Sequence, residues 1–251
     1  MPALETTDLT KTFGATCALD RLSLSVEPGE IFAFLGPNGA GKTTTVKLLT
    51  GLLRPTSGRA VVAGYDMATH PREAKKVIGY VSDQPFVYRH LTGFEFMRLV
   101  GDLYEVPAAE QKEKIPELLE MFELSGWADE LTEAYSHGMK QKLVLASVLL
   151  HRPRVLFLDE PLVGLDPKSA RLVKDVFALL AKRGVTLFMC THVLEIAERL
   201  AHRVAIIQHG KLIALETVAD LKKKAQSSGN LEEVFLELTG GTEYTELLKY
   251  L

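Results

Sequence analysis

Short runs of apolar residues open the chain and are separated by glycine and proline. The run RLSLSV at 21–26 alternates polar and apolar positions, which predicts a half-exposed strand of an antiparallel sheet. The run IFAFLG at 31–36 is almost wholly apolar and predicts a buried central strand. The runs GRAVVAGYD at 58–66 and VIGYV at 77–81 each predict one more short strand.

The middle of the chain changes to helical patterns. Thr92 can cap the segment GFEFMRLVGDLYEV, and a second helical segment, AAEQKEKIPELLEMFEL, follows it. Strand-like runs return at 154–161, 184–190 and 203–208, with a helical run between the first two. Strand–helix–strand alternation predicts a parallel sheet with helices on both faces. The helical stretch at about 92–150 breaks that alternation, so we interpret it as an inserted subdomain.

These patterns predict one α/β domain over 1–225 and a short C-terminal helical extension over 226–251. The segment QSSGN at 226–230 has the composition of a linker, and LEEVFLEL at 231–238 predicts a short helix.

Composition limits the classes of partner. The 251 residues are 47% hydrophobic and 24% charged, which is ordinary for a globular protein with a sizeable core. The formal net charge of −3 gives no reason to expect nucleic acid as a partner. No apolar run approaches the ~20 residues that a membrane-spanning helix needs. Cys17 and Cys190 have no metal-ligand spacing, which fits two free thiols in a reducing compartment.

The segment GPNGAGKTT at 36–44 matches the phosphate-binding pattern G-x-x-x-x-G-K-[ST], between an apolar strand and a helix. Lys42 can reach the β- and γ-phosphates of a nucleotide, and the Thr43 hydroxyl suits Mg²⁺. A simple glycine-rich turn is the alternative interpretation. The residues expected to hold the nucleotide here are Gly36, Pro37, Asn38, Gly39, Ala40, Gly41, Lys42, Thr43 and Thr44.

Hydrolysis needs a carboxylate for the metal and a group that activates water, and VLFLDEP at 155–161 supplies both. Asp159 is expected to hold Mg²⁺ through water, and Glu160 to act as the general base. His192 ends another apolar run, where it can touch the γ-phosphate or hold the water, although the run taken alone favours a structural histidine. The remaining histidines are expected at the surface: His70, His90, His137, His151, His202 and His209.

These motifs, in this order and over nearly the whole chain, resemble the ATP-binding subunit of an ABC transporter. The segment YSHGM at 135–139 stands where that family commonly has its signature LSGGQ, and it keeps Ser136 and Gly138. The resemblance implies a P-loop NTPase of the α/β class. Its parts are a RecA-like parallel sheet, an N-terminal antiparallel β subdomain and an inserted helical subdomain.

The resemblance also implies a head-to-tail dimer of two copies that closes around two ATP molecules. In such a dimer Ser136 and Gly138 act on the nucleotide of the partner chain, and Asp166 faces the partner. Phe13 matches the aromatic residue that stacks on adenine, and His192 matches the switch histidine. Lys42, Glu160 and His192 are then the catalytic set.

One position departs from the family. The family usually has a glutamine after a strand like IGYV, whereas this chain has Ser82, Asp83 and then Gln84. That glutamine approaches Mg²⁺ and relays the nucleotide state to the membrane partner. Asp83 can serve the metal through water, and which of Asp83 and Gln84 relays the state stays open.

The segments YSHGMKQKL, SDQP and LEEVFLELTG look most like ATPase subunits of bacterial ABC-2-type exporters. The resemblance therefore implies ATP hydrolysis, a separately encoded membrane permease, and a peripheral position at the cytoplasmic face of the membrane. Two alternatives are a soluble ABC ATPase acting on ribosomes or DNA, and a regulatory clamp that binds ATP but barely hydrolyses it. The transported substrate is not encoded in these motifs.

Overall fold

The computed structural model describes residues 1–224 and 231–240. The strands are β1 Leu4–Phe13, β2 Thr16–Val26, β3 Ile31–Leu35, β4 Ser57–Val62, β5 Tyr65–Asp66, β6 Ile78–Val81, β7 Val155–Asp159, β8 Thr186–Thr191, β9 Arg203–Gln208 and β10 Lys211–Thr217. The α-helices are α1 Lys42–Leu49, α2 Pro71–Lys76, α3 Gly93–Leu103, α4 Ala108–Met121, α5 His137–Leu150, α6 Pro167–Lys182, α7 Leu194–Leu200, α8 Val218–Lys224 and α9 Leu231–Thr239.

The central sheet has the strand order β10-β9-β3-β8-β7-β6. Its pairs are parallel except for β10, which runs antiparallel to β9. Every residue of β3, β7 and β8 is buried, because helices cover one face of the sheet and α1 covers the other together with β1, β2 and β4. This burial explains why those strands are almost continuously apolar in sequence. The carboxyl ends of these three strands meet at one edge of the sheet, where α/β folds bind ligands.

The second sheet is antiparallel, with the order β2-β1-β4-β5. The prediction of a single strand over 58–66 was wrong, because Ala63 (φ +52°) and Gly64 (φ +87°) form a two-residue turn between β4 and β5. Strand β1 was missed because its sequence, LETTDLTKTF, carries few apolar residues. Its pairing on both sides, to β2 and β4, decides its conformation.

The helices α3, α4 and α5 pack together over one face of the central sheet. Their shared core includes Met97, Ile115, Phe122 and Leu143, which have no exposed surface. The predicted cap at Thr92 is confirmed: its Oγ1 accepts from the Glu95 N–H, and the Glu95 carboxylate accepts from the Thr92 N–H. None of the helices in the part of the chain that the structure describes is long and apolar enough to cross a membrane.

The predicted C-terminal helix is present as α9, which buries Leu231 and Val234 against α7 and the central sheet. The Glu198 carboxylate on α7 accepts from the Leu231 N–H at 3.2 Å. The linker predicted at 226–230 lies outside the described residues, so the domain boundary at 225 stays a prediction.

One surface prediction was wrong. The His151 ring is largely covered, because it stacks on Tyr104 with 3.7 Å between ring centroids, and its Nε2 lies 3.0 Å from the Ile78 carbonyl oxygen. Burial lowers the pKa of His151, so the ring is neutral at physiological pH. The fold therefore uses this histidine to join α3, α5 and β6.

The capping box at Thr92 gives a stability prediction. We expect Thr92→Ala to lower the free energy of unfolding by about 1 kcal/mol, because the Glu95 N–H at the first turn of α3 loses its acceptor. Urea denaturation measures the change. Thr92→Ser keeps the hydroxyl and is the control. A Thr92→Ala protein as stable as the Thr92→Ser protein would contradict the assigned cap.

Candidate nucleotide-binding site

The loop between β3 and α1 is pressed against the strands around it. A Cβ atom at Gly36 would lie 2.4 Å from the Ile207 carbonyl oxygen, and one at Gly41 would lie 2.5 Å from the Ala18 carbonyl oxygen. Gly41 also has φ +110°, a conformation that other residues rarely adopt. The loop therefore needs glycine at both positions to curl tightly, and such a curl turns backbone N–H groups toward one point, as anion cradles do.

Lys42 and Thr43 stand at the start of α1, directly after the loop. Lys42 as a whole residue is 8% exposed. Its ammonium group donates to the carbonyl oxygens of Gly36 at 2.6 Å and Pro37 at 3.2 Å. The Thr43 Oγ1 donates to Asp159 Oδ2 at 3.0 Å, which ties α1 to the end of β7. Hydroxyl and carboxylate oxygens are the hard ligands that Mg²⁺ prefers, so this pair fits the predicted metal.

An open cleft of about 260 Å³ lies at this edge of the sheet. It is lined by Ala18, Asn38, Gly39, Gly41, Lys42, Thr43, Thr44, Asp83, Asp159 and Glu160. The structure thus brings the phosphate loop, both predicted carboxylates and Asp83 together, and Gln84 is not among the lining residues. Ala18 had no sequence signal, since it enters the cleft only through the position of β2.

Asp83 lies beside the predicted metal ligands because of a local turn. Its Oδ1 accepts from the Gln84 N–H at 2.9 Å, and the Ser82 hydroxyl donates to the Gln84 carbonyl at 2.6 Å. These bonds hold the Gln84 backbone while the Asp83 carboxylate faces the cleft.

The cleft brings three carboxylates together, and one of them, Asp159, is almost inaccessible to water. Asp159 is 2% exposed, and burial raises its pKa, with further raising from the charges of Asp83 and Glu160. The Thr43 hydroxyl and the Lys42 ammonium act in the opposite direction. Within residues 1–224 and 231–240, no three His, Cys, Asp or Glu side chains converge as a metal-ligand set. The paired oxygens of Thr43 and Asp159 could hold a cation together with phosphate oxygens of a nucleotide.

Glu160 has a left-handed backbone, with φ +50°, which is uncommon for a residue other than glycine. Both carboxylate oxygens are held by the end of β8. Oε1 accepts from the His192 N–H at 3.0 Å and lies 2.7 Å from His192 Nδ1, while Oε2 accepts from the Thr191 hydroxyl at 3.0 Å. Glu160 and His192, both predicted to be catalytic, are thus in direct contact, which the sequence did not predict. Thr191 is a further partner that sequence reasoning missed.

The remaining predicted site residues lie outside this cleft. Ser136 is the N-cap of α5, where its Oγ accepts from the Met139 N–H at 3.3 Å. Asp166 caps α6 by accepting from the backbone N–H groups of Lys168 and Ser169. Phe13 ends β1 and is 48% exposed. Ser136 and Gly138 belong to a second helix start, and neither residue lines the cleft of the chain's own phosphate loop.

Comparison with known proteins agrees with this fold. A family model described as ABC transporter matches residues 19–163. The chain therefore belongs to the ABC transporter family, and the predicted family, fold class and enzyme class, an ABC ATPase, are confirmed.

Individual relatives support the same class. The chain is 39% identical over 226 residues to the daunorubicin/doxorubicin resistance ATP-binding protein DrrA of Streptomyces peucetius, covering 90% of this chain and 68% of DrrA. It is 40% identical over 207 residues to an uncharacterized ABC transporter ATP-binding protein of Nostoc sp., covering 81% of this chain but 61% of that relative. A solved ATP-binding subunit of an ABC transporter superimposes with a TM-score of 0.89 at 31% identity, covering 94% of this chain and 99% of that one.

The pKa of Tyr80 depends in part on the negative charge in the cleft. Burial first, and then the charges of Asp159 and Asp83, raise its pKa to about 12. The folded state therefore holds this proton more tightly than the unfolded chain, so the free energy of unfolding should fall as pH rises above 10.0, the ordinary value. Ultraviolet difference titration should show a late-titrating tyrosine that is absent from Tyr80→Phe.

In Asp83→Asn the same tyrosine should titrate at lower pH, because one of the charges that disfavour the tyrosinate is gone. Asp20→Asn, which changes an aspartate that lines no part of the cleft, is the control. An unchanged titration in Asp83→Asn would contradict the placement of the Asp83 charge beside the cleft.

Proposed function

We propose that this chain is the ATP-hydrolysing subunit of an ABC exporter and that it drives a separate membrane permease. The observation that carries the proposal is the meeting of three groups at one sheet edge. These are the glycine-lined phosphate loop, the Thr43–Asp159 oxygen pair, and Glu160 held by Thr191 and His192. A nucleoside triphosphate is the substrate whose binding and hydrolysis require all three groups.

In this proposal each group in the cleft has one task. The Lys42 ammonium exchanges its two loop carbonyls for the β- and γ-phosphate oxygens. Mg²⁺ held through Thr43 and Asp159 would offset the charge that develops on the phosphates. Glu160 accepts a proton from the attacking water, and His192 orients the Glu160 carboxylate through Nδ1. This intact pair favours hydrolysis over a regulatory clamp that only binds ATP.

Dimerisation is the second part of the proposal. The first turn of α5 presents Ser136 and free helix N–H groups, which form an anion site because of the helix dipole. This site lies outside the chain's own cleft, so a phosphate that it binds belongs to another chain. Two copies arranged head to tail would pair each phosphate loop with the partner's Ser136 and Gly138, with Asp166 at the contact and Phe13 on the adenine.

Transport is proposed from the relatives and from the surface beside the cleft. DrrA is described as a resistance protein against daunorubicin and doxorubicin, which favours export. Phe86 and Tyr88 follow Asp83 and are 70% and 52% exposed, with their rings edge to face. Such an exposed aromatic pair is suited to a permease contact, and the segment 82–100 would then link the cleft to the permease at the cytoplasmic face of the membrane.

Glu160→Gln tests hydrolysis directly. We expect the variant to bind ATP with unchanged affinity and to lose about 10²–10⁴ in turnover, the range for removal of a general base. Phosphate release measures turnover, and light scattering should show an ATP-bound dimer that no longer reopens. Glu5→Gln, which changes an exposed carboxylate on β1, is the control. Retained turnover would falsify the assigned role of Glu160.

Mixing two defective variants tests the trans role of Ser136. Lys42→Ala should lose ATP binding but keep its first α5 turn, and Ser136→Arg should keep its phosphate loop but block that turn. Neither variant should dimerise alone. Together they contain one intact composite site, so ATP should let one tagged variant capture the other. Two folded variants that show no ATP-dependent capture would contradict the trans arrangement.

A further inference from the structure

The first turn of α5 touches the segment that follows Glu160 in the same chain. A Cβ atom at Gly164 would lie 2.5 Å from His137 Cδ2 and 3.0 Å from His137 Nε2, so the imidazole ring fills the space that a side chain there would need. A Cβ atom at Gly138 would lie 3.4 Å from the Gly164 carbonyl oxygen. The helix start and the backbone at Gly164 are therefore in van der Waals contact.

A second contact lies one helical turn further along α5. Gln141 has no exposed surface, and its Nε2 donates to the Pro161 carbonyl oxygen at 3.3 Å. Residues four positions apart lie on one face of a helix, so His137 and Gln141 form a single row against the same segment. The α5 helix thus holds the stretch between Pro161 and Gly164 at both of its ends.

The stretch between Pro161 and Gly164 is short, and its backbone is constrained. Glu160 at φ +50° and Gly164 at φ +77° are both left-handed, and the Glu160 carbonyl accepts from the Val163 N–H at 3.2 Å. Pro161 and Leu162 are buried. Val163 is exposed, but a segment with a left-handed residue at each end and two buried residues after the first has little freedom to absorb a displacement. A shift of the α5 start therefore moves the backbone that carries Glu160.

We propose that His137 is a positioning residue that transmits closure of the α5 start on the partner's nucleotide to the chain's own Glu160. The inference rests on the proposed function, because it assumes that Ser136 acts in trans and that Glu160 activates water. It adds a route between the two sites of the dimer. The ring of His137 supplies the lateral contact, and Gln141 supplies the anchor at the other end.

Substitutions at position 137 separate the ring contact from other roles. His137→Gly removes the contact, while His137→Phe keeps a planar ring against Gly164 without ring nitrogens. Turnover and KM for Mg-ATP are measured on the full chain, together with the melting temperature and the ATP-trapped dimer in a Glu160→Gln background. Coupling through contacts of this kind is expected to change turnover by about 3- to 30-fold.

We expect His137→Gly to lose turnover in this range, with KM, melting temperature and ATP-trapped dimer unchanged, and His137→Phe to stay within about two-fold of the original turnover. Unchanged turnover in His137→Gly would overturn the proposal. A loss in His137→Phe as large as that in His137→Gly would also overturn it, because a ring nitrogen would then be required. Loss of the trapped dimer in His137→Gly would overturn it as well, because His137 would then act in binding the partner's nucleotide.

A double-mutant cycle tests the contact itself. In Gly164→Ala the new methyl group must displace the His137 ring, whereas in the His137→Gly background that clash is absent. The turnover lost on Gly164→Ala should therefore be at least about three-fold smaller in the second background. An equal loss of turnover on Gly164→Ala in the two backgrounds would overturn the proposal. Failure of the proposed function is distinguishable, since Glu160→Gln alone would then retain turnover whatever happens at position 137.

Discussion

The whole site depends on three buried parallel strands that end at one edge of the central sheet. Strands β3, β7 and β8 are neighbours in space although they are far apart in the chain, and all their residues are buried. Parallel pairing fixes their relative register, so the loops that leave them meet at a fixed separation. The 3.0 Å bond from Thr43 to Asp159 is a direct result of that register.

The polar groups gathered there are costly to bury and are individually satisfied. Asp159 is nearly inaccessible to water, and its pKa rises through burial and neighbouring charge, yet it receives the Thr43 hydroxyl. Lys42 is bonded to its own loop, and both oxygens of Glu160 have partners on the β8 end. The chain itself therefore supplies a hydrogen-bond partner for each of these charged groups, as buried polar groups require.

The groups outside the cleft have a different organisation. Ser136 and Asp166 each cap a helix, so each has a structural partner within the chain while its helix start remains at the surface. The contact of His137 with Gly164 joins these two surface elements to each other and to the backbone after Glu160. In a dimer built on these surfaces, the α5 start would bind the partner's nucleotide, and the Glu160 backbone would serve the chain's own nucleotide. The contact of His137 with Gly164 would connect these two parts directly.

Motif spacing was sufficient to predict the phosphate loop, the Asp159–Glu160 pair and the parallel sheet, because these features depend on local backbone geometry and on continuous burial, both of which leave a pattern in sequence. Strand β1, the β4–β5 turn and the buried ring of His151 were not predicted, because pairing partners and stacking neighbours come from distant parts of the chain. The local turn at 82–84 places Asp83 rather than Gln84 at the cleft, and adjacent residues on an irregular turn carry no periodic signal that could distinguish them in sequence. The contact of His137 with Gly164 likewise depends on how α5 packs beside the β7 end, which only the tertiary structure decides.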